Sequence, residues 1–185
     1  LVITNGGEVA VAGMYAYIGK NASANDNAVT VTGVGSILTN KSEFFVGNSG
    51  ADNRLTIADG GRIVGNNVYI GYTASASNNS VTITGAGSLW TNQAYPGNAT
   101  FYLGYPGGGA GNRLIITNGG QVAIAGSSMI YGTYNSATVI GAGSAWRNSS
   151  ILGVFYKVNR LTTAAAGQAV NGSGYIGYGP TNSVT

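Results

Sequence analysis

The chain has 185 residues, of which 44% are hydrophobic and only 7% are charged, and its formal net charge is +3. It contains neither cysteine nor histidine, which excludes disulfides and thiolate metal sites and removes the commonest general acid–base catalyst. The hydrophobic content is high enough for a buried core, and the eight basic residues, scattered from Lys20 to Arg160, do not form the cluster that nucleic-acid binding requires.

Short β-strands alternate with glycine- and asparagine-rich turns from the beginning of the chain. Valine, isoleucine, threonine and tyrosine dominate the strand-like runs, which is typical of β-structure. The first six predicted strands are 1–4, 8–12, 16–18, 28–32, 37–39 and 44–46. Because side chains alternate between the two faces of a strand, we expect one set to point inward. This set is Val2 or its neighbours, Val9, Val11, Ile18, Val29, Val31, Leu38 and Val46.

A unit that ends in an apolar pair and a glycine recurs seven times. The closing glycines are Gly19, Gly47, Gly71, Gly104, Gly132, Gly153 and Gly177. Repetition at about 20–50 residues indicates stacked units rather than a globular enzyme domain. Residues beside these glycines should therefore form one inward column along the stack. The predicted core column is Ile18, Val46, Ile70, Leu103, Leu152 and Ile176.

A second, longer period groups the units in pairs. One single solenoid segment, 1–185, is predicted, with double repeats at approximately 1–53, 54–112 and 113–159 and a partial repeat at 160–185. We interpret it as part of a longer array or polymer. Glycine favours the sharp turns that a coil needs at its corners. The predicted corner residues are Gly6, Gly7, Gly60, Gly61, Gly119 and Gly120 in one unit type, and Gly33, Gly35, Gly85, Gly87, Gly141 and Gly143 in the other.

Three short strands in each unit of about 25 residues describe one coil of a parallel β-helix, in which coils stack about 4.8 Å apart. We therefore predict an all-β solenoid of about seven coils with three short strands per coil. An antiparallel β-sandwich is the alternative fold. It also has short strands and turns, but it gives no reason for the same corner residues to return at two nested periods.

Three motifs carry a resemblance to a known group of repeats. They are ITNGG at 3–7, YIGY at 69–72 and VTITGAGSLWTN at 81–92. They resemble the glycine-rich repeats of bacterial type V secretion (autotransporter) passenger regions, also found in PEP-CTERM-associated surface proteins, and the resemblance covers essentially the whole chain. It departs from the pattern at Leu38, where a later copy has tryptophan, and at 165–167, where Ala-Ala-Gly replaces Asn-Gly-Gly. The resemblance implies a right-handed parallel β-helix exposed on the bacterial cell surface or released outside the cell, with no shared enzymatic activity.

Residues able to perform acid–base chemistry are scarce. Carbohydrate-cleaving β-helices gather several carboxylates in a cleft, and the candidates here are Asp26, Asp52 and Asp59. The simpler interpretation is that they are solvated loop carboxylates. Glu8 and Glu43 begin strands and are expected to face water.

Two other patterns suggest binding surfaces. Trp90 and Trp146 occupy one repeat position and are predicted to pack in the core or at a corner rather than to stack on sugars. The Thr-x-Thr pairs at 30–32 and 82–84 resemble those of ice-binding solenoids. In the third copy the second threonine is replaced by Ile140, so we expect the threonine column to break there.

The sequence therefore predicts a non-catalytic structural protein of the cell exterior, a stalk, adhesin or fibre subunit, with no cofactor and no metal. The expected partners are further repeats or a second copy stacked end to end, with surface glycans as another ligand class. We expect no nucleic acid and no membrane insertion, since no apolar run approaches the roughly 18 residues of a membrane span. A carbohydrate-binding or carbohydrate-cleaving β-helix is the alternative.

Overall fold

The computed structural model describes residues 1–93, 99–177 and 180–185, in which strands are joined only by turns and loops. Each coil contributes one strand to each of three sheets. In the first coil these are β1 (Val2–Ile3), β2 (Glu8–Val11) and β3 (Tyr15–Ile18). In the second coil, β4 (Ala28–Thr32), β5 (Ile37–Asn40) and β6 (Glu43–Val46) pair with them in parallel. These bounds lie within two residues of those predicted from the sequence.

The same arrangement continues to the end of the chain. The first sheet adds β7 (Arg54–Ala58), β10 (Ser80–Thr84), β13 (Arg113–Thr117), β16 (Ser136–Ile140), β19 (Arg160–Ala164) and β22 (Ser183–Val184). The second adds β8 (Arg62–Gly65), β11 (Leu89–Asn92), β14 (Gln121–Ile124), β17 (Ala145–Asn148) and β20 (Gln168–Val170). The third adds β9 (Val68–Ile70), β12 (Thr100–Leu103), β15 (Ser127–Ile130), β18 (Ile151–Val154) and β21 (Ser173–Ile176).

Each sheet runs in the order of the coils, so the molecule is a β-solenoid of about seven coils with three strands per coil. This confirms the predicted fold class. The strand pairs are parallel, as in β7 with β10 and β10 with β13, whereas the alternative β-sandwich would pair its strands antiparallel. Stacking of this kind places each residue directly above its equivalent in the preceding coil.

The core is the space that the three sheets enclose. Its walls are columns of apolar residues, where a column means the side chains at one position in successive coils. In the first sheet Val31, Ile57 and Ile83 are in register and are completely buried. Burial of such side chains contributes roughly 1.5–3 kcal/mol each. In the first coil Ile3 is the inward residue and Val2 is exposed, which settles the choice that the sequence left open.

The predicted core column of the third sheet needs one correction. Strand register places Ile18, Val46, Ile70, Leu103 and Ile176 in a single column, together with Ile130 and Val154. Leu152 does not belong to it. It lies opposite Ser128, two residues earlier along β18, although it is also buried.

The error at Leu152 arose because Ile151-Leu152-Gly153 imitates the glycine-closed unit. In the first four coils the residue next in the chain after the core-column residue is a glycine, namely Gly19, Gly47, Gly71 and Gly104. It is Tyr131 and then Phe155 in the next two, as their backbone N–H bonds to Leu103 and Ile130 show. Gly132 and Gly153 are therefore not closing residues.

In the part of the chain that the structure describes, there is no helix with the length and apolar character to cross a membrane.

Candidate functional site

The corner between the first and second sheets exists in two forms that alternate along the axis. Odd coils use three residues, as at 59–61, and even coils use four, as at 85–88. The serine that ends the longer corner accepts a hydrogen bond from the middle residue of the shorter one. Gly60 N–H donates to Ser88 Oγ at 3.0 Å, and the same bond joins Gly6 to Ser36 and Gly119 to Ser144. This bond joins each of the first three odd coils to the even coil that follows it, which matches the two-coil period.

All twelve predicted corner glycines lie in these turns. The closest approach is at the end of the three-residue corner. A Cβ at Gly61 would lie 2.3 Å from the carbonyl oxygen of Val31, and one at Gly120 would lie 2.5 Å from that of Ile83. Both contacts are with backbone that cannot move aside, so no other residue fits at these positions.

The two departures from the repeat pattern leave the register intact. Leu38 is buried and lies between Val9 and Ile63 of the neighbouring coils, at the position that Trp90 and Trp146 occupy in later copies. In the fourth double unit Ala165 and Ala166 replace asparagine and glycine and adopt φ values of 47° and 64°. That conformation is unfavourable for alanine, but β16 and β19 still pair through all five residues of each strand.

A second corner, before each strand of the first sheet, carries an unbroken ladder of asparagines. Its members are Asn27, Asn53, Asn79, Asn112, Asn135, Asn159 and Asn182. At each step the side-chain oxygen of one asparagine accepts the backbone N–H of the asparagine one coil earlier, at 2.7 to 3.0 Å. Asn53, Asn79 and Asn112 are fully buried.

The amide group suits this position because it both donates and accepts. Asn79, for example, accepts from the N–H and side-chain amide of Asn53 and donates from Nδ2 to Asn112 Oδ1 at 3.2 Å. A buried polar group without a partner costs roughly 1–3 kcal/mol, so the ladder depends on every member being present. The sequence indicates a stacked polar corner at the three Asn-Arg-Leu triples of Asn53, Asn112 and Asn159, but a ladder through every coil was not predicted. The signal was an asparagine immediately before each first-sheet strand from β4 to β22, at intervals of 26, 26, 33, 23, 24 and 23 residues.

The outer surface of the third sheet carries an aromatic ladder, which the sequence analysis also missed. Its members are Tyr17, Phe45, Tyr69, Tyr102, Tyr131 and Phe155. Neighbouring rings are stacked, with centroids 4.9 to 5.9 Å apart. In the fifth and sixth coils the ring comes from the closing position instead, so Phe155 occupies the space above Gly153. The ladder thus continues although its sequence position shifts by two residues.

A second row of rings packs edge-on against this ladder. Tyr72 contacts Phe45 and Tyr69, and Tyr105 contacts Tyr69 and Tyr102. Stacking covers the faces of the inner rings, which are the surfaces that sugars use. Burial raises the pKa of the Tyr69, Tyr102 and Tyr131 phenols above the ordinary value, and nearby phenols and Glu43 add smaller effects at Tyr69. These phenols therefore stay protonated to a higher pH than a freely exposed tyrosine does.

The structure places Asp26 and Asp52 at equivalent positions of neighbouring coils, each one residue before a ladder asparagine, but it does not bring the other candidate carbohydrate-site residues to them. Trp90 and Trp146 are completely buried, and each packs edge-to-face with Phe101. Asp52 and Asp59 lie at opposite ends of β7, five residues that span about 17 Å. Within the described residues, no three potential ligands among histidine, cysteine, aspartate and glutamate are close enough to hold a metal ion.

The outward face of the first sheet carries two interrupted columns of threonines. Its middle column contains Thr30, Thr56, Thr82, Thr138, Thr162 and is interrupted by Ile115. Ile140 lies opposite Thr117 in the adjacent column and breaks the threonines there, as predicted. The edge column places serine between arginines, so that Ser80 separates Arg54 from Arg113 and Ser136 separates Arg113 from Arg160. These arginines are exposed, which keeps their like charges in solvent.

Comparison of the chain with protein-family models, with curated proteins and with solved structures finds no match. The geometry described above is accordingly the basis for interpreting the function.

The asparagine ladder predicts a large effect of Asn79→Ala. This change removes the acceptor for Asn53 N–H and the donor to Asn112, so we expect the free energy of unfolding to fall by about 2–4 kcal/mol, since two buried groups lose partners. Urea denaturation followed by circular dichroism measures it. The matched control is Asn66→Ala, at a half-exposed asparagine outside the ladder, with an expected change within about 0.5 kcal/mol. Equal effects of the two variants would contradict the role of the ladder.

The corner geometry predicts that Gly61→Ala destabilises the fold by about 1–3 kcal/mol or more, because its methyl group would contact the Val31 carbonyl oxygen. Gly13→Ala is the control, because a Cβ there has no atom within 4 Å and the backbone φ is not positive. Thermal unfolding of both variants measures the difference. A melting temperature of Gly61→Ala equal to that of the control would be inconsistent with the structure.

The raised tyrosine pKa values predict loss of stability in alkali. Above the ordinary pKa of 10.0, the unfolded chain releases phenol protons that the folded chain retains, so stability falls as the pH rises further. We expect the melting temperature to decline above pH about 10, and less steeply in Tyr69→Phe, since phenylalanine keeps the ring and has no proton to lose. Circular dichroism melts and the absorbance of tyrosinate test this. Identical slopes for the two proteins would rule out the contribution of Tyr69.

Proposed function

We propose that this chain is a non-catalytic structural segment of the bacterial cell exterior, a solenoid stalk, adhesin or fibre subunit that associates through stacked coils. The observation that carries the proposal is the continuity of the asparagine ladder through every coil from Asn27 to Asn182. The bacterial and extracellular parts of the proposal are supported by the motif resemblance alone.

A stack of this kind is suited to a mechanical role. Each coil contacts chiefly its two neighbours, and its stability comes from the interfaces above and below it. Three kinds of column run along the axis: the apolar core, the buried amides and the stacked rings. Each repeats the same contacts from coil to coil, which favours extension along one direction rather than formation of a closed cleft.

The distribution of charge along the stack supports association of two copies end to end. The five acidic residues all lie within the first 59 residues, and with three basic residues they leave a formal charge of −2 there. The five basic residues that follow give the remaining coils a charge of +5. Because successive coils lie successively along the axis, the two ends of the stack differ in sign. Opposite charges steer head-to-tail encounter and disfavour head-to-head encounter.

Both ends of the described stack also present apolar side chains. Leu1, Val2 and Tyr15 are exposed on the first coil, and Tyr175 and Ile176 on the last complete coil. Unpaired strand edges accompany them, and such edges accept a further coil, either of the same chain or of a second copy. In this association the strands of one copy would continue the sheets of the next.

The carbohydrate alternative has less support. Its two distinguishing features were exposed tryptophans and a cluster of carboxylates. The tryptophans are buried, and Asp52 and Asp59 lie at opposite ends of a strand.

The proposal predicts concentration-dependent rods. In sedimentation velocity the chain should form species larger than a monomer, and added salt should reduce them because salt screens the opposite charges. Ile176→Lys, which places a charge in the exposed core column of the last complete coil, should shift the distribution towards monomer.

Val34→Lys is the matched control for this experiment, since Val34 is 86% exposed at a corner rather than at an end of the stack. It should associate as the unchanged chain does. Negative-stain images should then show rods of variable length. A chain that remains monomeric at every concentration would contradict the proposal.

A further inference from the structure

Two tyrosines from neighbouring coils are in contact on the outside of the aromatic ladder. Tyr72 lies two residues after the core-column residue Ile70 in the third coil, and Tyr105 lies two residues after Leu103 in the fourth. Their ring centroids are 4.7 Å apart, the shortest ring separation in the described part of the chain, and the rings are tilted by 34°. Both side chains are partly exposed, so a reagent in solution reaches them.

We propose that Tyr72 and Tyr105 form an oxidative cross-linking site that a haem peroxidase with hydrogen peroxide converts to dityrosine. Each phenol loses one electron and one proton, and the two phenoxyl radicals join through ring carbons ortho to oxygen. The hydrogens on those two carbons then move to the oxygens, which restores both phenols. The two electrons and two protons reduce one hydrogen peroxide to two molecules of water.

The tilt of the rings selects this pair over the stacked pairs. In dityrosine the two rings are joined edge to edge, so a productive pair must bring ring edges together. Tyr69 and Tyr102 are 5.4 Å apart with an interplanar angle of 4°, and face-to-face rings would have to leave the stack before their edges met. Tyr72 and Tyr105 lie outside the stack, and their ring planes already make an angle of 34°.

A covalent bond at this site would close the longest chain segment between equivalent positions of neighbouring coils. It joins the third coil to the fourth, and the asparagines that mark this step, Asn79 and Asn112, are separated by 33 residues, the longest interval in the ladder. The chain has no cysteine, so tyrosine coupling supplies the cross-link that a disulfide would otherwise provide. Closing this segment restricts the unfolded chain and therefore favours the folded one. This inference does not depend on end-to-end association, because both tyrosines belong to one copy.

The test is oxidation of the dilute, folded chain with a haem peroxidase and hydrogen peroxide. We expect dityrosine fluorescence, a chain that still runs as a monomer on a denaturing gel, and an intact mass lower by two hydrogens. Tyr72 and Tyr105 share the tryptic peptide 63–113, which should carry the mass loss. A second cleavage after Trp90 should leave its two halves joined. The cross-link should disappear in both Tyr72→Phe and Tyr105→Phe, which keep the rings and the packing.

Tyr134→Phe is the control for exposure, since Tyr134 is 64% exposed and has no ring contact among the described residues. It should retain the full yield of cross-linked peptide, as should Tyr69→Phe. Circular dichroism confirms that each variant is folded, and the chain in urea should lose the preference for this pair. A cross-link that persists in Tyr72→Phe, maps to Tyr69 and Tyr102, or forms only between chains would overturn the proposal.

Discussion

The backbone N–H at the corner before each first-sheet strand must find an acceptor while it is buried, and this constraint organises the solenoid. The side-chain oxygen of the asparagine one coil later is this acceptor. The register of each coil is therefore fixed by its hydrogen bond to the neighbouring coil. Once that register is set, inward residues lie above inward residues and the apolar core follows. A slip by one residue would break the ladder and expose a whole column of core side chains at the same time.

Much of the architecture was predictable because strand, turn and period are local features of the sequence. Predicted strands 28–32 and 37–39 agree closely with Ala28–Thr32 and Ile37–Asn40, since alternating β-branched residues and glycine-rich turns mark them clearly. The positions of the corner glycines were equally visible. What failed was the alignment of units whose local pattern imitates another register, as at Leu152, where only the pairing with the adjacent coil decides which residue is in the column.

The ladders were harder to predict for a related reason. Asn79 and Asn135 are unremarkable turn residues when each is considered alone, and their importance appears only when the coils are superimposed. The aromatic ladder was harder still to recognise, because Tyr131 and Phe155 stand in the ladder but come two residues later in their units than the other rings. The function was the hardest property to predict from the sequence. A surface that acts by repetition has no local cluster of reactive groups for the sequence to reveal, and the proposed role accordingly depends on continuity along the axis.

The alternation of three- and four-residue corners has a consequence for how such a molecule changes its length. Removal of one coil would place two like corners in contact, leaving a glycine N–H without its serine or a serine without its glycine. Removal of two adjacent coils would rejoin unlike corners and restore the bond. Lengthening and shortening by duplication or deletion should therefore be tolerated in steps of a coil pair, which makes the pair, rather than the single turn, the heritable module of this architecture.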